Sequence, residues 1–89
     1  MFYVYILKSR KDQRLYTGYT TDLRKRLVEH NKNESTATKY RAPLDLLYYE
    51  AYISQADAKK REDRLKRSAG ARTALRRRLT DCLRLSHFV

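Results

Sequence analysis

Three side chains able to handle protons and phosphate fall within fifteen residues of one another: Tyr16, Arg26 and His30. Tyrosine and histidine move protons, and arginine grips anionic oxygens in a fixed fork. Arg26 and His30 stand four apart, so on a helix they stack on one face. Two partners lie further off, Tyr5 upstream and Glu62 downstream. Glu62 has Ala58 and Leu65 as its helical neighbours at −4 and +3. A carboxylate on such a core-facing stripe is costly unless it is paired or metal-bound. Asp63 beside it has Lys59, Lys60, Lys66 and Arg67 within helical reach and reads as a solvated salt-bridge residue. Each residue also has a plain structural reading. Strand tyrosines pack and hydrogen-bond. Arg26 suits a surface, His30 suits a helix end, and Glu62 suits an ion pair with Lys59 or Lys66.

The elements that must position these groups follow from patterning. Phe2 to Leu7 is β-branched, aromatic and apolar throughout, which predicts a strand covered on both faces. Phe2, Val4 and Ile6 point one way; Tyr3, Tyr5 and Leu7 point the other. The polar stretch Lys8 to Arg14 is a hairpin loop with Asp12 near its tip, and Leu15 to Tyr19 returns antiparallel. The strand breaks at Gly18, and a helix starts near Thr21, capped by Thr20 or Thr21 with Asp22 in its first turn. Leu23, Leu27 and Val28 make its apolar stripe, which leaves Arg26 and His30 at the edge of the core and turns Arg24 and Lys25 outward. Residues 32–42 form a Ser-, Thr- and Lys-rich loop ended by Pro43, and Leu44 to Ile53 is a third strand. Ser54 to Arg67 is a second helix, opened by a capping box of Ser54 and Asp57. Ser68-Ala69-Gly70 breaks it. A third helix of about 69–84 buries Ala71, Leu75, Leu79, Cys82 and Leu83, and Phe88 docks the tail.

Composition sets the partner. Eighty-nine residues make one domain. Lys and Arg number 21 against 10 acidic residues, a formal charge of +11. Self-repulsion of this size does nothing for fold stability, but it attracts polyanions in a salt-dependent way. No apolar run approaches the ~18 residues that span a bilayer, and no segment joins a basic face to large exposed apolar residues. The N-terminus has too short an apolar run for a signal peptide and no charge before it. The single cysteine, Cys82, permits no internal disulfide, which fits a cytoplasmic protein, and the cysteine and histidines lack zinc-site spacing. Patterning and charge together describe a small basic α/β domain that binds nucleic acid and no membrane.

Taken as an ordered set, Tyr3-Val4-Tyr5, Tyr16-Thr17-Gly18, Asp22-Leu23-Arg24-Lys25-Arg26, His30 and a later Glu62 resemble the GIY-YIG nuclease superfamily. Tyr5 and Tyr16 are eleven apart, Tyr16 and Arg26 ten, Arg26 and His30 four, as that resemblance requires. Glu62, inside KKREDRLKR, matches the position of the superfamily's metal-binding glutamate. The pattern VYIL…LYTG…DL..R…HN followed by RE..LK is similar to small stand-alone bacterial members, and the resemblance covers about residues 2–67. Tyr3, Val4 and Thr17 replace the motif's Gly and its two Ile, changing packing and leaving both functional tyrosines.

The resemblance implies an α+β sandwich, a small three-stranded and mostly antiparallel sheet flanked by helices, in a single domain over residues 1–89. It also implies metal-assisted hydrolysis of DNA phosphodiester bonds. Glu62 would hold one Mg²⁺ or Mn²⁺, and Arg26 would bind the non-bridging oxygens. Tyr5 or Tyr16 would deprotonate or orient the attacking water, with nearby cations lowering a tyrosine pKa that is otherwise ~10. His30 would relay a proton or hold Tyr5. Lys8, Arg24, Lys25, Lys39 and Arg41 are candidates for phosphate contacts. A second reading is a binding module on the same scaffold that does not turn over.

Overall fold

The computed structural model describes residues 1–85. Its centre is strand β1 (Phe2–Ser9), flanked antiparallel by β2 (Leu15–Thr20) and β3 (Leu44–Tyr52) in the order β2-β1-β3. Helix α1 (Leu23–Asn31) covers one face; α2 (Gln55–Arg67), α3 (Ala69–Arg78) and α4 (Thr80–Leu85) cover the other. The arrangement is α+β, as the resemblance implies.

The central strand has apolar residues on both sides because both sides are packed. Val4 and Ile6 meet Ala58, Leu65, Leu75 and Leu79 of the helical layer. Tyr5 and Leu7 face the other way and gather Leu44, with Tyr16, Leu23, Leu27 and Leu46 packed against them. A register shift between Ile6 and Leu7 leaves Leu47 as an extra residue in β3, so Leu47 and Tyr48 turn to the same side. Val28, expected in the α1 stripe, is exposed.

Gly18 does not break β2. It lies inside the strand, opposite Tyr5, without a positive φ. What it supplies is space: a Cβ built there would lie 2.3 Å from Tyr5 Cζ and 2.4 Å from the phenol oxygen. The phenol end of Tyr5 therefore fills the space over the glycine.

Capping also departs from expectation. Asp22 is the N-cap of α1 and accepts from the Lys25 N–H at 3.1 Å, while Thr20 Oγ1 accepts from the Asp22 N–H. Ser54 caps α2 as expected, through the Asp57 N–H. The break after α2 is Ser68 alone. It ends α2 in an extended conformation and caps α3 through the Ala71 N–H, which leaves Gly70 inside a helix. The single helix expected over 69–84 is two, parted at Leu79, whose own N–H reaches back to Leu75 and Arg76. Leu75 and Leu79 are buried, but Cys82 is exposed. Phe88 lies outside the described residues.

Gly18→Ala is expected to destabilise the fold by roughly 1–3 kcal/mol, since the new methyl overlaps a buried ring. Urea unfolding checks it; unchanged stability would contradict the close approach.

Candidate active site

Two connections bring the five chemical residues together at the free edge of β2. Antiparallel pairing sets Tyr5 opposite Gly18 and Leu7 opposite Tyr16, so both tyrosines point to the α1 side. Their ring centroids are 6.3 Å apart. From α1 comes His30, 5.7 Å from the Tyr5 ring and 5.1 Å from the Tyr16 ring.

His30 is fully buried, where helix periodicity places it at the core's edge. Its surroundings explain this. Nε2 lies 2.7 Å from the Tyr5 hydroxyl, and Nδ1 lies 2.6 Å from the Thr38 hydroxyl. Burial, and then the Arg26 charge, push its pKa down to about 4, so the ring is neutral at pH 7. A neutral imidazole has one N–H and one lone pair. Tyr5 and Thr38 therefore take opposite roles: where one hydroxyl donates to the ring, the other accepts from it.

Tyr5 itself is 1% exposed. Burial, and then Tyr16, push its pKa up to about 12, against the opposing pull of the Arg26 guanidinium. The sequence reading expected cations to lower a tyrosine here. For Tyr5 burial wins, and its proton stays on near neutral pH.

Arg26 is half-buried on the same face of α1. It donates through Nη2 to Ser35 Oγ at 3.2 Å and has Glu29 Oε1 3.7 Å from Nη1. Ser35 precedes the 3₁₀ turn Thr36–Thr38, Thr38 ends it, and both are buried. The loop at 32–42 is thus folded over the site, and its two buried hydroxyls hold Arg26 and His30. Asn31 closes it, accepting from the Leu44 N–H and donating to the Leu44 and Leu27 carbonyls. Sequence reasoning missed Ser35, Thr38 and Asn31. The signal available was a Ser- and Thr-rich loop, which does not say which hydroxyl turns inward.

Glu62 comes from α2, near enough to Tyr5 to raise its pKa. Its side chain is 22% exposed, and Oε2 lies 3.1 Å from Lys66 Nζ. The ion pair anticipated with Lys59 or Lys66 is with Lys66; Lys59 instead lies over the Tyr19 ring. Lys66 Nζ is also 5.9 Å from the Tyr16 ring centroid, so Lys66 belongs to the site. Asp63 pairs with Arg67 in solvent, as expected. Another acid, Glu50, is held below the usual carboxylate range. Burial opposes this, but Arg61 and the Tyr52 and Tyr48 hydroxyls outweigh it, and their bonds occupy its two oxygens. Glu62 instead pairs with Lys66 through Oε2 and is partly exposed.

The phosphate candidates are placed unequally. Arg24 and Lys25 are exposed on α1; Arg24 borders a cavity of about 500 Å³ shared with Tyr3 and Tyr49. Lys39 is exposed, its ammonium 5.2 Å from the Tyr40 ring. Lys8 is corrected: β1 runs two residues beyond the apolar stretch, so Lys8 is buried and its Nζ donates to the Leu83 carbonyl. Arg41 is drawn into the hairpin turn, 2.9 Å from Asp12.

The family model for the GIY-YIG catalytic domain matches residues 1–78. The chain belongs to the GIY-YIG family. It is 51% identical over 57 residues to UPF0213 proteins of Streptococcus pyogenes serotypes M5 and M2, a match covering 63% of this chain and 61% of theirs. It thus spans less than two thirds of the length of those relatives. The solution NMR structure of a UPF0213 protein from Bacillus halodurans is similar, at 35% identity and a TM-score of 0.54, covering 84% of this chain and 82% of that one. Its relatives are thus a small stand-alone branch of the GIY-YIG family.

GIY-YIG nucleases act on nucleic acid and generally depend on a divalent metal. Among the described residues no three His, Cys, Asp or Glu side chains gather into a ready metal cage. A lone, partly open carboxylate such as that of Glu62 has the chemistry to suit a hard cation that keeps most of its waters. Also among the described residues, no helix is long and apolar enough to cross a membrane.

The His30 environment yields a pH prediction. Its folded pKa lies below its unfolded value of 6.5, so its stabilising effect is complete above pH 6.5 and is lost as pH falls towards about 4. Unfolding free energy should drop across that window by on the order of 3 kcal/mol. In His30→Asn the slope between pH 6.5 and 4.5 should flatten. An equal slope in both proteins would contradict a buried neutral histidine.

Proposed function

We propose that this protein is a divalent-metal-dependent endonuclease that hydrolyses phosphodiester bonds in DNA. The observation that carries the reading is the meeting of Tyr5, Tyr16, Arg26, His30 and Glu62, from four separate elements, at one edge of the sheet. A fold alone does not need a half-open carboxylate, an arginine and two tyrosines in one place.

Each residue has a role that its surroundings suit. Glu62 would hold the metal, Mg²⁺ or Mn²⁺, which would supply positive charge to the phosphate. Arg26, fixed by Ser35, binds the non-bridging oxygens as negative charge grows in the transition state. Tyr16 is partly open where Tyr5 is buried, so Tyr16 faces the attacking water and takes or orients its proton. Tyr5 is the positioning tyrosine: seated on Gly18 and bonded to neutral His30, it supports the Tyr16 ring packed against it and borders Arg26. Arg24, Lys25 and Lys39 meet flanking phosphates, and the charge of +11 draws the polyanion in. A cytoplasmic setting, where Cys82 stays a thiol, suits this enzyme.

The second reading, a binding module without turnover, has one observation in its favour: the Glu62 carboxylate already meets an ammonium. One experiment separates them. Wild-type protein with Mg²⁺ or Mn²⁺ is expected to nick or cut members of a DNA panel. Glu62→Gln should lower that rate at least a hundredfold, with DNA binding retained or tightened, because a charge that repels phosphate is gone. If wild type and Glu62→Gln are equally inert on DNA and RNA, the binding reading stands in place of the nuclease.

A further inference from the structure

We propose that Lys66 is a working residue of this site: its ammonium holds the Glu62 carboxylate until a divalent cation takes that place, and then moves to the phosphate. The inference rests on the nuclease reading above and assigns a role to a residue outside the five-residue set.

Three observations converge on it. Lys66 Nζ is 3.1 Å from Glu62 Oε2, one of the two oxygens of the carboxylate that would hold a metal. It is at the same time 5.9 Å from the centre of the Tyr16 ring, so it is near both the carboxylate and the tyrosine that faces water. Its backbone is fixed. Leu65 beside it is buried at 1% exposure, and Arg72 Nη1 donates to the carbonyls of Leu65 at 3.1 Å and Lys66 at 2.7 Å. The end of α2 is thus pinned while the Lys66 side chain, 48% exposed, stays free to swing on its four-carbon stem.

Charge dictates the rest. A dication at Glu62 and an ammonium 3 Å away repel, so the two occupy the carboxylate in turn. The displaced ammonium remains tethered one helical turn from Glu62 and close to Tyr16. The strongest negative charge to arrive there is the phosphate whose oxygens Arg26 binds. Arg26 and Lys66 then flank it, one from α1 and one from α2. An ordinary exposed i,i+4 pair would stabilise the helix slightly and do neither thing.

The test uses full-length wild type, Lys66→Met, Lys66→Arg and Glu62→Gln, with Mn²⁺ binding followed by the loss of the free-ion EPR signal. Lys66→Met should bind Mn²⁺ about two- to fivefold more tightly, the equivalent of an exposed ion pair removed. At saturating Mn²⁺ its single-turnover DNA cleavage should be about ten- to a hundredfold slower, the loss of one charged hydrogen bond to the phosphate. Lys66→Arg should restore the rate in large part. Unchanged Mn²⁺ affinity in Lys66→Met overturns the competition for Glu62, and an unchanged cleavage rate overturns the handover to phosphate. Glu62→Gln keeps the underlying reading separate: if it binds Mn²⁺ like wild type, Glu62 is not the metal ligand and the nuclease reading fails first.

Discussion

The site depends on the contact between an aromatic ring and a missing side chain. Tyr5 is in the middle of the central strand, and its ring occupies the volume where any other residue at position 18 would carry Cβ. That seat fixes the phenol oxygen within reach of His30 Nε2. It also brings the Tyr16 ring, two residues along β2, to the same side of the sheet. Remove the seat and the two tyrosines and the histidine lose their common geometry, because strand pairing relates the tyrosines and the Tyr5 hydroxyl ties them to His30.

A second constraint comes from burying polar groups. His30 is at zero exposure, which is tolerable only because it is neutral and bonded at both nitrogens. One partner is the sheet, through Tyr5, and the other is the loop, through Thr38. Arg26 makes the same kind of bridge to Ser35. The loop after α1 is therefore held by the site's own residues. This binds the geometry of the site to the fold, since a change in protonation of His30 disturbs both.

Much of this was legible in the chain. Alternation in Phe2–Leu7 gave the two faces correctly because each face meets its own layer. The step of four between Arg26 and His30, and the apolar flanks of Glu62, pointed to groups held near the core. What was hidden depends on distant contacts. Helix periodicity does not register a loop that folds back over His30. Three residues in a row, Thr20, Thr21 and Asp22, are all competent caps; Asp22 wins because its carboxylate reaches the Lys25 N–H while Thr20 turns to the Asp22 backbone. Apolar spacing from Ala71 to Leu83 is continuous, and the break at Leu79 carries no Gly or Pro to mark it. Lys8 looked like a surface cation because its partner, the Leu83 carbonyl, is 75 residues away.

In the proposed site, residues from β1, β2, α1 and α2 act together on one metal-assisted phosphate. Substoichiometric Mn²⁺ added to ¹⁵N-labelled protein tests this directly, because the ion broadens amide signals only near where it binds. The account predicts selective broadening of Tyr16, Arg26, Glu62 and Lys66, with Asp12, Asp45 and Asp81 unaffected. Broadening centred on those other acids, or spread evenly over the surface, would contradict it.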